Sequence, residues 1–141
     1  MAIYSLSQRT TNVTIANACL EIRTASTDRP RIMEIGLTLN AATASVFGLG
    51  RPQAIGITPV NVAFLAEDSG DPASTINGSL SWATGPTVPL NVFRRASLPA
   101  LVGAGIVWTF PRGLVIPVSS SLVLWNISAT GAVDVWVVVD E

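Results

Sequence analysis

The chain contains no histidine, and all 8 of its basic residues are arginine, so lysine is absent as well. These two gaps exclude much familiar chemistry. Ser-His-Asp triads and Cys-His pairs cannot be assembled. Serine–lysine dyads, Schiff bases on lysine and the lysine-dependent phosphate loop are also out of reach. A single cysteine, Cys19, permits no internal disulfide, and without histidine it leaves no zinc site of the usual kind. Cys19 lies in the alternating segment NACLEIR and reads as a small buried apolar residue.

Charge is scarce too. Charged residues make up 12% of the chain, against about 25% in an ordinary soluble domain. The formal net charge of −1 gives no broad basic field, so nucleic acid is not an expected partner. No segment of helical length keeps a 3.6-residue apolar stripe. The apolar ending GAVDVWVVVDE, residues 131–141, is interrupted by Asp134 and falls short of the roughly 20 residues of a membrane helix. The start, MAIYSLSQRT, lacks the basic and long apolar parts of a signal peptide. The Asn12-Val13-Thr14, Asn77-Gly78-Ser79 and Asn126-Ile127-Ser128 sequons therefore read as chance matches.

What the chain does have is apolar alternation. Hydrophobic residues account for 49% of its 141 residues, and the mean hydropathy is +0.51. That suits one domain with apolar surface to spare. In RIMEIGLTLN, Met33, Ile35, Leu37 and Leu39 form an apolar face opposite Ile32, Glu34, Gly36 and Thr38. In NACLEIRTAS, Ala18, Leu20 and Ile22 oppose a polar face carrying Glu21 and Arg23. Turn chemistry at Ser26-Thr27-Asp28-Arg29-Pro30 separates the two, so 17–25 and 31–40 read as an antiparallel pair. Further strands follow at 43–49, 61–66, SLSWAT, NVFRRASL, GIVWTF, LVIPV and SLVLWNIS. In the last strand Val133, Val135, Val137 and Val139 form a core face, and SLVLWNIS is placed to close a hairpin with it through a turn at 128–132.

Some nine or ten short strands, punctuated every eight to twelve residues, predict an all-β antiparallel β-sandwich of jelly-roll type. Residues 1–12 form an N-terminal arm or edge strand, and 13–141 the single sandwich domain.

Carboxylates are the remaining chemical candidates. Glu21 and Glu34, on adjacent expected strands, read as a solvated or interfacial cluster with Arg23 and Arg31 rather than as a catalytic pair. The loop Glu67-Asp68-Ser69-Gly70-Asp71 lacks the full spacing of a calcium loop. The four tryptophans, 82, 108, 125 and 136, read as core or subunit packing. Arg94 and Arg95 fall on opposite faces of one strand. No cofactor, metal or catalytic residue is expected, and the chain reads as non-enzymatic.

The segments EIRTASTDRPRIMEIGLTLNAATASVFGLGRPQAIGITP and FPRGLVIPVSSSLVLWNIS resemble those of small structural proteins of tailed bacteriophages. Capsid decoration, or cement, proteins are the nearest role. The resemblance implies a virion protein on the capsid surface, made in the host cytoplasm. Its partners would be the major capsid protein and its own copies in a homotrimer, with neither nucleic acid nor membrane involved. On that expectation Ile3, Tyr4, Leu6 and Arg9 are candidate capsid-docking residues. Arg94, Trp136 and Val138 are candidate subunit-interface residues, Trp136 because a tryptophan between acids is odd in open solvent. The alternative is a receptor- or carbohydrate-binding β-sandwich of a phage tail or head fibre, with the 67–71 loop and Trp82 carrying specificity.

Overall fold

Eleven strands and no helix make up the computed structural model, which describes residues 2–11, 16–128 and 131–141. In chain order they are β1 (Ile3–Arg9), β2 (Asn17–Arg23), β3 (Arg31–Leu39), β4 (Ser45–Gly50), β5 (Ile57–Ala63), β6 (Leu65–Ala66), β7 (Asn77–Thr84), β8 (Val92–Leu98), β9 (Gly105–Val115), β10 (Ser121–Ser128) and β11 (Val133–Asp140). One sheet has the order β6-β1-β11-β3-β9 and the other β5-β7-β2-β10-β4-β8. All pairings are antiparallel, and the result is a β-sandwich. The expected boundary at 12/13 and the Asn12 sequon lie outside the described residues, as does part of the expected turn at 128–132.

The pairing is nested. β1 pairs with β11, β2 with β10, β3 with β9 and β4 with β8. β5, β6 and β7 extend one side of both sheets. Among the described residues no strand pairs with its immediate neighbour in sequence. Two expectations fall on this point. Strands β2 and β3 are not an antiparallel pair, because they belong to opposite sheets. Nor do β10 and β11 close a hairpin, for the same reason. In each case the two strands lie in opposite sheets, so their apolar faces meet across the core instead of sharing hydrogen bonds.

Alternation explains the core. Val133, Val135, Val137 and Val139 of β11 are all buried and face Leu20, Ile22, Leu122 and Leu124 within one apolar cluster. Burying each such side chain stabilises the fold by about 1.5–3 kcal/mol relative to leaving it exposed. Gly78 brings the sheets together at one point, since a Cβ there would lie 2.4 Å from Leu6 Cδ2.

Bulges break the alternation at several points, and two of them, in β3 and β2, redirect side chains of the core. In β3 the register shifts between Ile32 and Glu34. Ile32 therefore turns inward and is fully buried, whereas Met33, expected in the core, is only half-buried. In β2 the shift opposite Leu124/Trp125 makes Cys19 the extra residue, and it joins the core beside Leu20. The expected GIVWTF strand and the first two residues of LVIPV, Leu114 and Val115, form one long strand, β9, and Ile116 to Val118 lie beyond it.

Candidate functional site

Two outward faces and two edges carry the side chains that the core does not use. On the five-stranded sheet, register aligns Ser7, Trp136, Gly36 and Val107 in one outward row, and Ser5, Val138, Glu34 and Thr109 in the next. Trp136 lies down across Gly36, where a Cβ would stand 2.2 Å from indole Cζ2. Its Nε1–H donates to Glu34 Oε1 at 2.8 Å. The ring is thus tied to its own sheet, half-buried, with Val138 beside it and Val107 exposed. At the end of this face Arg9 donates through Nε and Nη2 to the two Asp134 oxygens at 2.7 and 2.9 Å. That hydrogen bonding holds the Asp134 carboxyl below its ordinary range and Arg9 above its own.

A parallel arrangement occupies the outer face of the six-stranded sheet. Glu21 points outward from β2, yet it is 0% exposed, which corrects its reading as a solvated group. Residues 51–56 fold over it as one half of a flap. Glu21 Oε1 accepts the Gly56 amide at 3.1 Å and the Ser121 hydroxyl at 2.7 Å, and Oε2 accepts Trp82 Nε1–H at 2.7 Å. Arg23 stands 3.9 Å away. Four partners of this kind are what a buried carboxylate needs. Here again a glycine makes room, because a Cβ on Gly56 would meet Trp82 Cδ1 at 2.2 Å. Residues 85–91 form the other half of the flap. The Thr87 amide donates to Ala54 O at 3.0 Å, and the Ala54 amide donates to the Thr87 hydroxyl at 2.8 Å.

Beyond the flap lies the β8 edge. Leu90 is 77% exposed and forms a ridge between two open clefts. One, about 320 Å³, is bounded by Arg51, Pro52 and Phe93; the other, about 440 Å³, by Val88, Arg95, Trp125 and Ile127. Arg51 sits over the Phe93 ring at 4.8 Å and donates to Val115 O. Arg94 caps Phe110 at 5.3 Å and donates to its neighbour's carbonyl.

The sequence-expected site residues are therefore dispersed. β1 is a strand of the sandwich, held by β11 along its length and by β6 at Tyr4 and Ser5. Tyr4 and Leu6 are buried in the core, so neither is free to dock; of the four candidate docking residues only Ile3 and Arg9 face outward. Trp136 and Val138 lie mid-face on one sheet, whereas Arg94 lies on the edge of the other. Glu21 and Glu34 stand on opposite outer faces of the sandwich and cannot flank one bond. Arg31 donates to Arg112 O rather than to Glu34. Glu67 accepts the Ser5 hydroxyl, and Asp68 Oδ1 accepts the Gly70 amide at 2.9 Å. Among the described residues, no three potential metal-ligating side chains gather. The two Trp–Glu pairs escaped sequence reasoning. Only the register, which sets a glycine or a loop against each ring, could reveal them.

No protein-family model, curated protein or solved structure matches the chain.

Proposed function

We propose that the chain is a non-enzymatic structural protein of a phage virion, a homotrimeric decoration protein that binds the outside of the capsid and stabilises it. The observation that carries this reading is apolar surface outside a filled core. Among the described residues Ile3, Ile55, Ile57, Val60, Leu65, Val88, Leu90, Val92, Phe93 and Val107 are large, apolar and exposed. A soluble monomer seldom leaves so much of that kind uncovered. The nested pairing of first strand with last, second with tenth, third with ninth and fourth with eighth supports a jelly-roll topology. A closed sandwich of that kind supplies the rigidity that a shell-reinforcing protein needs.

The outer face of the five-stranded sheet suits the capsid contact. It holds Ile3, Val107, Trp136 and Val138 without a flap, and carries its own salt bridge at Arg9–Asp134. The test is co-sedimentation with capsids assembled from the major capsid protein of the same virion. The wild-type chain is expected to pellet with them, and a folded Val107→Asp variant to stay in the supernatant. A wild-type chain that leaves capsids unbound would sink the proposal.

Carbohydrate recognition is the second reading, favoured by one feature. The Trp136 ring lies flat on the sheet beside Glu34 and the Ser5, Ser7 and Thr109 hydroxyls, the mixture of aromatic and polar groups on which a sugar stacks. Trp82, the earlier candidate, has its N–H bound to buried Glu21. Glycan-array binding lost in Trp136→Ala would establish this reading; an array without hits would remove it.

A further inference from the structure

Charge is unevenly placed about the sandwich. β8 and β9 are the edge strands on one side, in contact with each other, and β5 and β6 are the edges on the other. Along the first side stand Arg51, Arg94, Arg95 and Arg112, all exposed. Among the described residues none of the four makes an ion pair. Along the second stand Glu67 and Asp68, both exposed, and half-buried Asp71, likewise unpaired among the described residues. Each side also exposes apolar side chains: Leu90, Val92 and Phe93 on the basic side, Ile57, Val60 and Leu65 on the acidic one.

We infer that a second copy of this chain docks its β5/β6 edge, acidic and apolar, against the basic and apolar β8/β9 edge of the first. The inference deepens the reading of the chain as a homo-oligomer and rests on it. Complementary charge around an apolar centre fixes register and suppresses wrong partners. The two patches lie on opposite sides of one chain, so the contact is heterologous. Such contacts repeat head to tail and close into a ring where the rotation permits, as a trimer requires. The isologous alternative, β8 against β8, would set Arg94 and Arg95 beside their own copies, an arrangement that repels. Strand-to-strand extension is also disfavoured, because Pro59 and the register shift after it interrupt β5. The contact is therefore made by side chains.

The experiment is sedimentation of the full chain and two charge-reversed forms, Arg94→Glu with Arg95→Glu and Glu67→Lys with Asp68→Lys, each checked for folding by circular dichroism. Wild type is expected to sediment at a multiple of 14.7 kDa, and each variant alone at the monomer mass. An equimolar mixture of the two variants is expected to associate again, because the intact edge of each meets the intact edge of the other. Raising salt should lower the associated fraction of wild type, which tests the contact without any substitution. A wild-type monomer throughout the micromolar range overturns the inference. So does association lost only in the arginine variant, which signals β8–β8 pairing, or a salt-insensitive oligomer. Capsid binding by a wild-type monomer would sink this inference and the homotrimer with it, and leave the capsid-binding role standing. A ring that meets every expectation yet ignores capsids would do the reverse.

Discussion

Cys19 illustrates how a single residue takes its chemistry from its register. As the extra residue of a bulge it turns into the core, where burial pushes its thiol up to about 12 from an ordinary value of 9.0. Above the ordinary value the unfolded chain gives up the thiol proton while the folded chain keeps it. The folded state then binds more protons, so stability falls as pH rises through that window, by about 1.4 kcal/mol for each unit. Below the window the contribution is fully present. Urea midpoints taken at about pH 8 and about pH 10 should therefore drop for wild type and drop less for Cys19→Ala. Equal drops would show that the thiol does not govern the slope. The burial of Cys19 was legible from composition, since lone cysteines are usually inside. Trp136 was legible only by half. Its place between the acids Asp134 and Asp140 of one face marked it as unusual, but its seat on Gly36 depends on a partner strand a hundred residues away in sequence.

At the scale of elements, the flap has a testable consequence. Residues 51–56 and 85–91 are joined to each other through Ala54 and Thr87 and to the sheet through Gly56 and Glu21. Thr87→Val removes one side-chain bond, worth about 0.5–1.5 kcal/mol. Glu21→Gln places an amide N–H₂ against a donor in the dry interior, at a cost of about 1–3 kcal/mol. Amide hydrogen exchange at Gly56 should quicken in both variants, more in the second, with β11 amides little changed in Thr87→Val. Unchanged exchange at Gly56 in both variants would mean that the flap is held by something else. The flap also explains why β2 misled the sequence reading. A polar outward face at Glu21 and Arg23 looks the same whether water or a loop covers it. Strand identity was legible because period two is a local signal: β2 to β11 all overlap segments read as strands, although the one expected strand 61–66 divides between β5 and β6 of opposite sheets. Strand partnership was not legible. An arch that crosses the core and a hairpin that stays in one sheet both need an apolar face, a turn and another apolar face. Ser26 to Pro30 satisfies either.

For the whole molecule, the nested topology makes the first strand a closing element. β1 lies between β6 and β11 and gives Tyr4 and Leu6 to the core. The Thr10 amide donates to Val133 O at 2.9 Å, and its hydroxyl accepts the Val133 amide at 2.9 Å. A docking arm and a closing strand make opposite predictions for a chain lacking residues 2–10. Removal of an arm would leave thermal melting unchanged and abolish only particle binding. Removal of a closing strand takes two large side chains from the core, each worth about 2–5 kcal/mol when truncated. It also strips β11 of one hydrogen-bonded partner. Set against a total stability of about 5–15 kcal/mol for a domain, that loss is enough to unfold the sandwich. The expected result is therefore an insoluble chain, or one that melts without a cooperative transition by circular dichroism. A truncated chain that melts as sharply as wild type and fails only to bind capsids would return β1 to the role of an arm.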